Sequence, residues 1–373
     1  MPTYTHLITL RPIDKFFFGS ENTFNTADGG KSNYLVASRY FPQQTTLLGM
    51  LRLELLLQNG LLADVTDKLK DTKAATTLIG NSGFSLYNAI KSNYTEEVKG
   101  WGVIQNISPV FLQNGNENYF VAPNDFRFAL QTQAPASMSL GFGETATEPV
   151  PFYPEYDAKK MNETLLLSNR LSKKDIDKVF VERQQVGINK NSEEEGYFKQ
   201  THYTLAKGFA FAFYANLNLP EDKHLKGGLI PMGGERSVFK MEITPLKDKN
   251  VDFSAWNTTH LPKSSLPKIY LLTDAFVPTD LSDCCAFAYN STVSFRQIET
   301  SITGTNNFWD MNNKHDRLTN RNGKAVKSQL YNFFSRGSVF YTPPDKLPDL
   351  QNAFKLPALQ QVGYNHFITI QNH

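Results

Sequence analysis

THYTLAKGFAFAFYANL, residues 201–217, decides the fold class. Phe209, Phe211 and Phe213 alternate with Gly208, Ala210 and Ala212, so an extended chain carries large rings on one face and almost nothing on the other. That is the period of a strand. Working outward, similar patterns predict strands over residues 6–10, 237–244, 269–276, 338–341 and 366–370. One strong helix signal runs from Leu47 to about Gln58, with Gln43, Gln44, Thr45 and Thr46 as a polar start, Leu47, Leu48, Leu51 and Leu55 as the apolar face, and Gly60 as the stop. A second begins at Ser172, where Asp175 completes a weakened capping box and Ile176, Val179 and Phe180 point to a core. Strands outnumber helices and do not alternate with them as a doubly wound parallel sheet requires, so an α+β fold is expected.

Gly49 lies inside the long helix, where glycine costs about 1 kcal/mol relative to alanine. Tight packing on a sheet or close approach of a ligand would each offset that cost.

The 373 residues suit two domains, and 40% apolar residues with 28 Phe can build a large core. A net charge of +2 is too small to attract a polyanion by bulk electrostatics, so any nucleic-acid contact must come from local concentrations of charge. The only cysteines are the neighbours Cys284 and Cys285, which excludes a disulfide framework and a zinc quartet and suits a reducing cytoplasm. The first twelve residues lack the pattern of an export signal, and Arg52 and Glu54 interrupt the richest apolar run, so neither export nor membrane spanning is expected.

Gly141-Phe142-Gly143-Glu144-Thr145-Ala146 has loose dinucleotide-loop spacing, but no buried strand precedes it and Pro149 blocks a following helix. Walker, zinc-helix, calcium-loop and serine-elbow motifs are missing, so no metal or cofactor is expected. His366, in Gly363-Tyr364-Asn365-His366, could approach an RNA phosphate, or simply hydrogen-bond at a strand end. Residues 207–214, KGFAFAFY, nearly match the RNA-recognition octapeptide, in which Phe209 and Phe211 would stack bases; alternating Phe is equally what a half-buried strand requires. Between Lys314 and Lys327 the bases Lys314, Arg317, Arg321, Lys324 and Lys327 face one acid, Asp316, which makes this long polar segment either an RNA contact or a solvated loop. Residues 183–200, RQQVGINKNSEEEGYFKQ, place Gly187 and Gly196 around a middle too polar to bury, which predicts a projecting hairpin.

Several blocks in order carry a family resemblance: RPIDKFFFG at 11–19, YFPQQTTLLGMLR at 40–52, RQQVGI at 183–188, GGER at 233–236, RGSVF at 336–340 and GYN at 363–365. Together they resemble the RAMP-superfamily subunit of type III-B CRISPR effector complexes that holds the 5′ handle of the guide RNA, third in the Cmr series. The resemblance implies two ferredoxin-like units, assigned to residues 1–218 and 219–373, with a hairpin thumb, and a non-catalytic role. It implies as partners the guide RNA handle, target RNA indirectly, the large polymerase-type subunit and the repeated RAMP backbone subunit. With the charge pattern, it nominates as RNA-binding Phe18, Gly19, Gln43, Gln44, Thr45, Thr46, Gly49 and Arg52; Arg183, Gly187, Lys190 and Lys199; Gly234 and Arg236; and Lys314, Arg317, Arg321, Lys324, Arg336, Gly363, Asn365 and His366. Two positions depart from the pattern: Gly19 stands where members often carry arginine after the Phe pair, and Ser237 where a second arginine often follows Gly-Gly-Glu-Arg. Other RAMP proteins mature guide RNA as metal-independent endoribonucleases, and His6, His202 and His366 are available for such work. A free-standing RNA-recognition module built on residues 207–214 is the third possibility.

Overall fold

The computed structural model describes residues 3–19, 22–24, 34–62, 69–81, 83–86, 89, 101–126, 136–138, 150–152, 165–170, 172–189, 196–233, 235–250, 266–297 and 328–371. At its centre runs the Phe-rich strand Phe209–Leu217, paired antiparallel with Thr3–Pro12 on one side and with Phe111–Asn114 and Ile104–Ile107 on the other. Beyond Thr3–Pro12 the sheet continues through Ser237–Asn250 to Gly228–Met232. In the opposite direction it passes through Glu117–Val121 and Leu165–Ser168 to Lys173–Asp175, giving nine strands in all.

Alternation along these strands sorts the side chains into two cores. Ile8, Leu10, Phe211, Phe213, Phe239 and Met241 point into one, where they meet Leu47, Leu51 and Leu55 of the helix Gln44–Gln58. Leu7, Ala212 and Phe111 face the other way, onto Tyr270, Tyr289 and Tyr341. Those tyrosines belong to a four-stranded antiparallel sheet ordered Phe287–Tyr289, Val339–Tyr341, Lys268–Leu271, Phe367–Ile370. The flat alanine side of the Phe-rich strand is therefore covered as well, and the strand is buried on both faces. A third core lies beneath the small sheet, where Leu271 and Phe340 pack on Leu350 and Phe354 of the helix Leu347–Phe354.

One buried ion pair ties the two sheets together. Lys268 Nζ bonds Asp125 Oδ2, and the Tyr341 hydroxyl donates to the same oxygen over 2.6 Å. Removing either charge would strand the other in a low-dielectric interior.

Beside the large sheet stands a smaller one, ordered Phe180–Asn189, Gly196–Leu205, Tyr34–Ala37, Asn22–Phe24. Its first two strands form the expected hairpin, in register from Phe180 opposite Leu205 to Asn189 opposite Gly196. Among the described residues no helix is long and apolar enough to cross a membrane.

One expectation changes and one element is added. The helix signal at Ser172 resolves into the edge strand Lys173–Asp175 and a single turn, Ile176–Val179, where Asp175 makes no side-chain cap. Pairing with Leu165–Ser168 takes residues that a free chain would give to a helix, although Ile176, Val179 and Phe180 are buried as expected. The helix Thr72–Ile79, capped by the Asp71 carboxylate at the Ala74 amide (3.0 Å), is an addition. Gly228–Met232 and Ser237–Asn250, which follow residue 218, also belong to the large sheet.

Candidate nucleic-acid interface

The blocks at 336–340 and 363–365 meet the 40–52 block at the start of the long helix, but most of their polar groups turn inward there. The helix begins at Gln44, earlier than the apolar pattern suggests, and the Gln43 carbonyl receives the amides of Thr46 (2.9 Å) and Leu47 (3.3 Å). Gln44 is fully buried; its Nε2 donates to the carbonyls of Ser108 (2.8 Å) and Gly363 (2.9 Å). Gly363 has a φ of 89°, and a β-carbon there would stand 1.8 Å from Gln44 Nε2. Only glycine fits.

The next residues in the terminal motif close the same junction. Asn365, also left-handed at φ 55°, accepts from the Phe276 amide (2.9 Å) and donates to the carbonyls of Phe276 (2.7 Å) and Phe354 (3.2 Å). Arg336 is buried, its Nε and Nη2 reach Asp274 at 3.3 and 3.4 Å, and its guanidinium lies 4.4 Å above the Phe41 ring. His366 donates from Nε2 to the Gln360 carbonyl (3.0 Å), and burial pushes its imidazole down to about 4, so it is neutral near pH 7.

Seven nominated residues thus serve the interior: Phe18, Gln44, Arg52, Arg336, Gly363, Asn365 and His366. Phe18 stacks on Phe239 with ring centroids 5.9 Å apart, and Phe16 joins it in the main core. Arg52, only 3% exposed, donates from Nε to the Ile79 carbonyl (3.1 Å), and desolvation lowers its guanidinium to about 10. Phe209 and Phe211 are core residues as well, which removes the octapeptide reading: rings held there cannot stack on bases.

What remains at the surface is narrower. Thr45, Thr46 and Gly49 are partly exposed on one side of the helix start, and the helix has no side-chain cap. Nothing lies within 4 Å of the position a Gly49 β-carbon would take, so packing against the sheet does not explain this glycine. The positive end of the helix dipole favours an anion here. Gly19 and Arg236 are exposed, and so are Arg183 and Lys199 on the hairpin, where Gly187 is partly exposed. Lys15 reaches the hairpin through Gln185. Ser237, where the family pattern has arginine, accepts the Phe17 amide at 3.1 Å. Lys190, Gly234, Lys314, Arg317, Arg321 and Lys324 lie outside the described residues.

Sequence reasoning missed two partners of this junction, Asp274 and Ser108. No local signal marks them, because each is brought in from a distant element. The three histidines weighed as catalytic groups bond to different neighbours: His6 Nδ1 lies 2.7 Å from Thr5 Oγ1, His202 Nε2 lies 3.3 Å from Gln200 Oε1, and His366 holds Gln360. Among the described residues no group of three or more His, Cys, Asp or Glu is placed to hold a metal ion.

A family model described as "CRISPR-associated protein (Cas_Cmr3)" matches residues 8–372. No curated protein matches the chain. Among solved structures, a chain of a Type III-B Cmr-beta complex bound to cognate target RNA is 12% identical with a TM-score of 0.48, over 98% of this chain and 99% of its own. A chain of the Csm1-Csm4 cassette in complex with pppApA is 10% identical with a TM-score of 0.34, over 92% and 88%. A chain of a Csm3-Csm4 subcomplex of the type III-A interference complex is 10% identical with a TM-score of 0.36, over 90% and 93%.

Proposed function

The chain belongs to the CRISPR-associated Cas_Cmr3 family, and from that premise we propose that it grips the 5′ handle of the guide RNA as a non-catalytic subunit of a cytoplasmic type III-B effector complex. The observation that carries the reading is the open start of the helix Gln44–Gln58. Thr45 and Thr46 stand partly exposed at the positive end of the helix, beside a glycine with empty space over its β position. A phosphate seated there would be held by the helix end and approached closely at Gly49. The buried junction of Gln44, Gly363 and Ser108 fixes this helix end against the central sheet, so the site is rigid before RNA arrives.

In this reading the hairpin 180–205 is the thumb that separates handle from guide, with Arg183, Lys190 and Lys199 contacting the strand, and the basic segment 314–327 supplies further phosphate contacts. In the same reading the chain comprises two ferredoxin-like units, with the buried tyrosines between the large sheet and the C-terminal one. The large polymerase-type subunit and the repeated RAMP backbone subunit are its neighbours, and target RNA is met only through the guide. The histidines do not converge on a common point, which weighs against endoribonuclease chemistry.

The test is photocross-linking of a guide RNA carrying 4-thiouridine in its handle, within the purified assembly. Cross-links to residues 43–49 are expected. Cross-links confined to other parts of the chain, or turnover of repeat RNA by the isolated protein, would overturn the reading.

A further inference from the structure

The face of the large sheet that receives the C-terminal sheet is covered at one end only. Leu7 packs into the tyrosine-rich core, but strand alternation puts Thr9, Arg11 and Ile13 on that same face further along. Opposite them stand Val238, Lys240 and Glu242 of the neighbouring strand, and then Leu229 and Pro231 of the last one. The register joins them into two rows. The Ile13 amide bonds the Val238 carbonyl at 3.0 Å with Pro231 opposite Val238, and Arg11 lies opposite Lys240, which lies opposite Leu229.

These positions are open. Leu229 is 69% exposed, Ile13 58% and Val238 45%, and they are three of the five large hydrophobic residues exposed among the described residues. Scattered single hydrophobics need no explanation, but three gathered on adjoining strands form a patch that water solvates poorly. Their alternates, Leu10, Phe239, Met241, Ile230 and Met232, are all in the main core, so the register that builds the core forces these side chains outward.

We propose that this open end of the sheet is a docking surface for a neighbouring protein subunit, one that presents an apolar projection rimmed by carboxylates. The proposal rests on the reading that the chain works inside a multisubunit assembly. Charge complementarity selects the occupant. Arg11 and Lys240 stand in the patch beside Glu242, which Lys240 pairs at 2.6 Å and whose pKa both cations lower, leaving Arg11 to meet a partner's carboxylate. RNA fits this face less well: none of these residues is aromatic, so no ring offers a stacking platform, and aliphatic Ile, Val, Leu and Pro side chains have nothing to pair with phosphate. A small apolar centre inside a charged rim is instead how protein interfaces are built.

The test uses the complete assembly purified with its guide RNA, comparing the natural protein with Ile13→Glu/Val238→Glu. Both sites are exposed, so the variant should melt within about 2 °C of the parent while retaining at least tenfold less of one sister subunit in native mass spectrometry. Arg11→Glu should give a several-fold loss of the same subunit. In the natural assembly, amide exchange at 228–232 and 237–241 should slow on complex formation. Full subunit stoichiometry in the double variant would overturn the proposal, and so would loss of guide RNA with every protein retained, which would assign the face to RNA. Absence of guide RNA from the natural assembly would count against the handle-binding reading instead, and is read without any variant.

Discussion

Two sets of polar groups lie within one helical turn of each other, and they have opposite fates. Gln44 is fully buried and ties its amide to the backbone at Ser108 and Gly363, in a junction that also holds Asn365 and the Arg336–Asp274 pair. Thr45, Thr46 and Gly49 are partly exposed, with no side-chain cap on the helix and open space over the glycine. The motif blocks therefore combine two roles that sequence alone does not separate: one set builds the platform and the other is what the platform displays.

The contrast breaks first on stability. Arg336→Ala should cost about 3–5 kcal/mol, because it leaves the Asp274 carboxylate buried without its cation and removes the guanidinium stacked on Phe41; thermal unfolding is the measurement, and a loss below about 1 kcal/mol would place Arg336 at the surface instead. Gly363→Ala follows at roughly 1–3 kcal/mol from backbone strain at φ 89°, plus displacement of Gln44.

Acid gives a third and smaller effect. His366 has its folded pKa lowered to about 4 from the ordinary 6.5, so the unfolded chain binds the proton first as pH falls. Its contribution is whole above about pH 6.5 and drains away toward pH 4, of order 1–3 kcal/mol. Denaturant titrations across this range should show the loss, and His366→Gln should flatten it. A parallel pH dependence in that variant would assign the effect to other groups.

Much of the architecture is legible in the sequence where the signal is local. The alternating Phe and Ala of residues 209–213 mark a strand, and Leu47, Leu48, Leu51 and Leu55 mark the helix that covers it. What is not legible depends on distant partners. Nothing near Arg336 announces that Asp274, sixty-two positions away, will draw it inward. The pairing of Thr3–Pro12 with Ser237–Asn250, more than two hundred positions apart, likewise has no local signature. Exposed glycines are harder still: the sequence marks Gly49 as unusual but cannot say whether a neighbour or a ligand needs it.

The smallest structural change is expected at the hairpin. Replacing residues 189–195 by a short Gly-Ser linker should leave folding and handle binding intact while altering nuclease protection at the handle–guide boundary; unchanged protection in an assembled complex would reduce the hairpin to a surface loop.

Gly49→Leu tests the platform-and-display account most directly, with guide-RNA retention and melting temperature read on the same purified assembly. Leucine is the better helix former by nearly 1 kcal/mol and meets no atom within 4 Å at its β position. The account predicts a melting temperature equal to or above that of the parent together with at least a tenfold loss of bound guide RNA. A variant that keeps its RNA would contradict it.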